Sequence, residues 1–143
     1  MAVLSISVAL ALAGCAAQNS NSVVNTPVSG SFKPGFGGGR TVCAPNYVEA
    51  MRFTNKASIW WPQPAGTFTR GSINNITGID FTQTPAVFEV LGGAHLGTPW
   101  CTPLPGTPQF PLTKGEEYQF LIYFTHTAPP KDTAISFNVQ WQP

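Results

Sequence analysis

The chain has 143 residues with 7 basic and 6 acidic side chains, a formal net charge of +1. That balance excludes an electrostatic nucleic-acid binder, which needs a basic stripe to displace phosphate counterions, and an apolar share of 43% excludes a wholly disordered chain. Fourteen Gly and 14 Pro interrupt helices and exclude a helical bundle, leaving length for one modest domain.

Met1 to Gly14 carry no charged side chain, and Ala2 to Ala13 form an apolar run. The run is too short to cross a bilayer, which needs about 20 apolar residues, and has the length of the core of a signal peptide. It ends in Leu12-Ala13-Gly14-Cys15, which resembles the lipobox of bacterial lipoproteins. The resemblance implies that 1–14 are a signal peptide cut off before Cys15, whose thiol carries the lipid that anchors the chain to a membrane. Ala16 in the next position implies outer-membrane sorting in a host with two membranes. Two acyl chains on one residue give stable anchoring where one is marginal. The alternative is a buried apolar element with a structural Cys15.

Ala16 to Arg40 is rich in Ser, Asn and Gly and shows no sustained periodicity, so 15–40 reads as a lipidated cysteine followed by a flexible linker. As a random coil, such a linker spans roughly 27 Å. Gly35 to Gly39 lacks the Gly-Lys-Ser/Thr ending of a phosphate-binding loop.

From Thr41 the texture becomes that of a β domain. In Asn46 to Asn55, Asn46 and Glu49 have the spacing of a helix capping box, while Tyr47, Met51 and Phe53 fit one face of a strand, the preferred reading. Ala57 to Trp61, Ile79 to Thr82 and Ala86 to Leu91 are short strand candidates between turn residues. Gly92 to Pro111 holds five prolines, shows no strand pattern and reads as a long stiffened loop. Tyr118, Phe120, Ile122 and Phe124 line one side of a strand over Glu117 to Thr125. Thr133, Ile135, Phe137, Val139 and Trp141 do the same within Thr133 to Gln142, alternating with Ala134, Ser136, Asn138, Gln140 and Gln142. The loop His126 to Asp132 between these two strands predicts an antiparallel hairpin.

Leu112, Gly115 and Tyr118 form a Leu-x-x-Gly-x-x-Tyr run. It resembles the entry to the penultimate strand of immunoglobulin-like and fibronectin-type sandwiches, where a corner tyrosine hydroxyl bonds to upstream backbone. The resemblance implies an all-β, immunoglobulin-like antiparallel β-sandwich over 41–143, with Gly115 at the bend and Tyr118 as the corner residue. Phe120 stands where an antibody-type domain places a cysteine.

With Cys15 given to lipid, Cys43 and Cys101 remain, and in an exported chain two remaining cysteines most simply form a disulfide. Metal ligation and free thiols are the alternatives. No close Cys-x-x-Cys pair supports redox catalysis, and no Gly-x-Ser-x-Gly elbow supports a hydrolase. His95 and His126 lie in predicted loops without carboxylate or thiolate partners at ligand spacing, so neither a metal nor another cofactor is expected. Asn75-Ile76-Thr77 matches a glycosylation acceptor, read as coincidence in a bacterial chain. Trp60 and Trp61 are strand neighbours, so one indole is expected to point away from the core. Trp100, on the stiff loop, either meets a partner or covers the disulfide. The expectation is therefore a non-catalytic, lipid-anchored binding or structural-assembly protein of the bacterial cell envelope. Its partner would be an envelope protein or a cell-wall polymer. The first alternative is a carbohydrate- or peptidoglycan-contacting module using Trp60, Trp61 or Trp100, and the second a small metal-dependent or hydrolytic enzyme built on the histidines.

Overall fold

A computed structural model describes residues 22–36, 41–53, 61–92 and 98–143. Within them the chain forms nine strands and no helix. They are β1 (Val24–Ser31), β2 (Glu49–Phe53), β3 (Trp61–Pro62), β4 (Arg70–Thr77), β5 (Ala86–Gly92), β6 (Trp100–Pro103), β7 (Gln109–Pro111), β8 (Glu117–Phe124) and β9 (Ala134–Gln142). One antiparallel sheet has the order β1-β9-β4-β7, the other β2-β8-β5-β6, with β3 also paired to β8. The two sheets pack face to face, so the expected antiparallel β-sandwich is the fold.

An aromatic core fills the space between the sheets. Phe120 of β8 and Phe137 of β9 meet edge-on at 5.9 Å, and Phe137 also contacts Phe53 at 4.7 Å and Phe88 at 5.2 Å. Phe110 stands among Tyr118, Phe120, Trp141 and Trp100. Gly71 makes that placement possible, because a Cβ there would sit 2.4 Å from the Phe110 ring. The alternation of β9 is realised residue by residue: Ile135, Phe137, Val139 and Trp141 are buried and the residues between them are not. The Trp141 indole N–H donates to Thr26 Oγ1 at 2.8 Å, so the one polar atom of that buried ring is satisfied.

Several expectations are corrected. Strands β8 and β9 form no hairpin but lie in opposite sheets. Both edges of β8 are taken, by β5 on one side and by β2 and β3 on the other, while β9 lies between β1 and β4. The connection Thr125 to Thr133, which contains the predicted loop His126 to Asp132, therefore crosses from one sheet to the other. The flexible-linker reading of 15–40 fails over Val24 to Ser31, which is strand β1 in full register with β9. Phe32, just beyond it, is buried edge-on against Phe124. The proline at 27 lacks an N–H, which an edge strand tolerates because one side of its backbone has no neighbour to bond. Edge position also explains why Trp100–Pro103 and Gln109–Pro111 are strands inside a stretch read as loop. Ile79 to Thr82 is a turn rather than a strand: Asp80 Oδ1 accepts from the Thr82 backbone N–H (3.1 Å) and hydroxyl (2.6 Å), and Asp80 C=O accepts from Thr84 N–H. Local side-chain bonds of this kind compete successfully with a ladder in so short a segment. They also hold the Asp80 carboxyl below its ordinary pKa, the Thr82 hydroxyl contributing most. Glu49–Phe53 is a strand, as preferred over the helix.

Candidate functional site

The Leu112, Gly115, Tyr118 run leads into β8. Gly115 adopts φ +84°, a left-handed value that glycine accepts without strain. The Thr113 backbone N–H then donates to the Tyr118 hydroxyl oxygen at 2.8 Å. Leu112 N–H bonds Thr69 C=O, tying the corner to the residue before β4. Burial pushes the Tyr118 hydroxyl pKa up, because a phenolate there would be poorly solvated.

Cys43 and Cys101 are joined, with Cα atoms 5.3 Å apart and 58 residues between them in sequence. Cys101 sits opposite Glu89 on β6, so the bridge lies on the outward face of the second sheet and fastens a strap, 41–47, across it. Ala44 of the strap forms a small second core with Ala50, Leu121 and Tyr123 beneath it, and Tyr47 of the strap stands edge-on to Tyr123 at 4.8 Å. This is why β8 is buried on both faces, although its sequence shows alternation on one.

Beneath the same strap lies Glu89, 2% exposed. Its carboxylate accepts from the Tyr123 hydroxyl at 3.1 Å and from the Thr41 hydroxyl. The Thr41 oxygen in turn accepts from the Cys43 backbone N–H at 3.0 Å, so the hydrogen-bond chain ends at the disulfide. Loss of solvent, and then the charge of Glu89, raise the Tyr123 hydroxyl pKa well above its ordinary value. Nothing in the sequence pattern marks Glu89 as buried: its place on the strand face opposite Phe88 and Val90 directs it away from the core between the sheets.

The candidate binding residues do not come together as one exposed site. Trp61 is a core residue, tilted against Phe120 at 5.5 Å, which corrects its candidacy as a solvent-facing indole. Trp60, His95 and Cys15 lie outside the described residues. Trp100 is half-buried against Phe110 (6.1 Å) and Tyr118 (6.3 Å). Since neighbours on a strand point oppositely, Trp100 turns toward the core while Cys101 turns outward, and Trp100 does not cover the disulfide. His126 is exposed, with Nδ1 3.2 Å from the Thr125 hydroxyl. Among the described residues no cluster of three or more His, Cys, Asp or Glu side chains could hold a metal ion.

The outward face of the four-stranded sheet escaped the sequence reading as a unit. Register places Gln109, Ser72, Gln140 and Asn25 in one row across β7, β4, β9 and β1, and Asn74 opposite Asn138 in the next. A shallow depression of about 440 Å³ opens at the β7 end, bounded by Thr69, Arg70, Gln109 and Pro111. No protein-family model, curated protein or solved structure matches the chain.

Proposed function

We propose that the chain is an exported, lipid-anchored binding or assembly module of the bacterial cell envelope, tethered through Cys15 and acting without catalysis. The observation that carries this reading is the Cys43–Cys101 bridge in a chain whose third cysteine closes a lipobox-like sequence. Structural disulfides persist where glutathione and thioredoxin do not keep thiols reduced, which is the compartment an acylated chain enters. Because β1 starts at Val24, only eight residues, Ala16 to Val23, separate the acylated cysteine from the sandwich. Fully extended they reach about 28 Å, so the domain is held close to the membrane surface.

The experiment is mass analysis of the native chain together with crosslinking in intact cells. The reading expects an acylated Cys15 at the mature N-terminus and crosslinks to envelope proteins or wall polymer. An unprocessed N-terminus without acyl adduct, or crosslinks to cytosolic proteins alone, overturns it.

A further inference from the structure

Of the side chains that register directs outward from β1, β9, β4 and β7, only Arg70 is charged, and none is a carboxylate. The Arg70 guanidinium is engaged: its Nε–H donates to Gln142 Oε1 at 2.9 Å, and Gln142 Nε2 donates onward to Gln140 Oε1 at 2.7 Å. The amides of Asn25, Asn74, Gln109 and Asn138 carry no side-chain hydrogen bond among the described residues. We propose that this face docks an uncharged, N-acetylated glycan strand lying across the strands, with Asn25, Asn74, Gln109, Asn138 and Gln140 as its contacts.

The chemistry favours that occupant. Each primary amide offers one acceptor oxygen and two donor hydrogens, which match the C=O and N–H of an acetamido group and the dual character of sugar hydroxyls. Neighbouring strands stand about 4.8 Å apart, close to the repeat of one sugar unit in an extended pyranose chain, so a strand crossing β7, β4, β9 and β1 meets a new polar residue with each sugar. The depression beside Gln109 and Arg70 gives a terminal sugar room at one end. An anionic polymer would find a single cation, already bonded to Gln142. A second copy of the chain would find no aromatic side chain directed outward from these strands and only Pro27, Pro111 and Ala134 as apolar ones, whereas protein interfaces bury an apolar, aromatic-rich centre. The proposal rests on the envelope-binding reading and narrows its partner to a wall glycan.

The test titrates the full chain with a soluble N-acetylglucosamine hexamer, following amide resonances of β4 and β9. The deacetylated hexamer and polygalacturonate serve as comparison ligands. Saturable binding of the acetylated hexamer is expected, changed less than about twofold between low and high salt because no ion pair carries it. Asn138→Ala and Asn74→Ala should each weaken it roughly fivefold, the worth of about one hydrogen bond, with unchanged thermal unfolding, and Trp100→Phe should leave it unaltered. Failure of the acetylated hexamer to saturate, preference for either comparison ligand, or indifference to the face substitutions overturns the proposal. So does self-association of the purified chain that those substitutions abolish. If the glycan fails while the native chain is acylated and crosslinks to envelope proteins, only the ligand assignment falls. A chain without acyl adduct removes the envelope reading itself, whatever the glycan result.

Discussion

Replacing both bridged cysteines, Cys43→Ser with Cys101→Ser, should destabilise the sandwich by a large fraction of its total. The bridge closes a separation of 58 residues, for which chain entropy gives about 4 kcal/mol, against a typical domain stability of roughly 5–15 kcal/mol. The strap adds to this, because freeing it exposes Ala44, Leu121 and Tyr123 and removes the Thr41 hydroxyl from Glu89. At about 4 °C per kcal/mol for a domain of this size, the midpoint should fall by roughly 15 °C. Calorimetry with and without a phosphine reductant measures it, with thiol titration confirming the redox state; Cys101 is exposed, so reductant reaches it. The doubly substituted chain should melt low in both conditions. If the fully reduced native chain melts within about 3 °C of the oxidised one, the strap contributes nothing and the account of the second core is wrong.

Glu89→Ala should cost about 2–4 kcal/mol in urea unfolding, because it strands the buried Tyr123 hydroxyl and the half-buried Thr41 hydroxyl. Coupling with Tyr123→Phe should make the double substitution less damaging than the sum of the singles. Tyr118→Phe leaves the Thr113 N–H without its acceptor and should cost about 1–3 kcal/mol. Both tyrosines hold their protons more tightly folded than unfolded. Their contribution is complete below the ordinary tyrosine pKa of about 10 and is lost as pH rises beyond it, so the unfolding midpoint should drop steeply in alkali and less steeply in Tyr123→Phe. Gly78→Ala should cost about 3 kcal/mol or abolish folding. Its φ is +93°, and the added Cβ would lie 2.0 Å from the Ala134 carbonyl oxygen; soluble yield and urea midpoint decide it.

The strands with clean period-two alternation were legible in sequence. In β9 the apolar residues face the core one by one, and in β8 the expected face is the inner one. Strand β1 carries the same alternation weakly, Val24, Thr26, Val28 and Gly30 turned inward against Asn25, Pro27, Ser29 and Ser31. Its Ser, Gly and Pro composition hid that pattern, since those residues earn their place at an edge rather than through packing. The amide face was visible only in part, as the polar side of β9, because sequence alone gives no neighbour to a strand.

What the sequence determined is the period of the long strands β8 and β9, the bend-forming glycine of the Leu112, Gly115, Tyr118 run, and the identity of the two bridging cysteines, since local geometry and a small count of thiols suffice for these. Tertiary structure decided which strands share a sheet, that Trp61 and Glu89 lie inside, and that four separate segments build one amide-rich face without a carboxylate. Sheet partners are chosen by competition for free edges among strands far apart in the chain, and no local pattern records who wins.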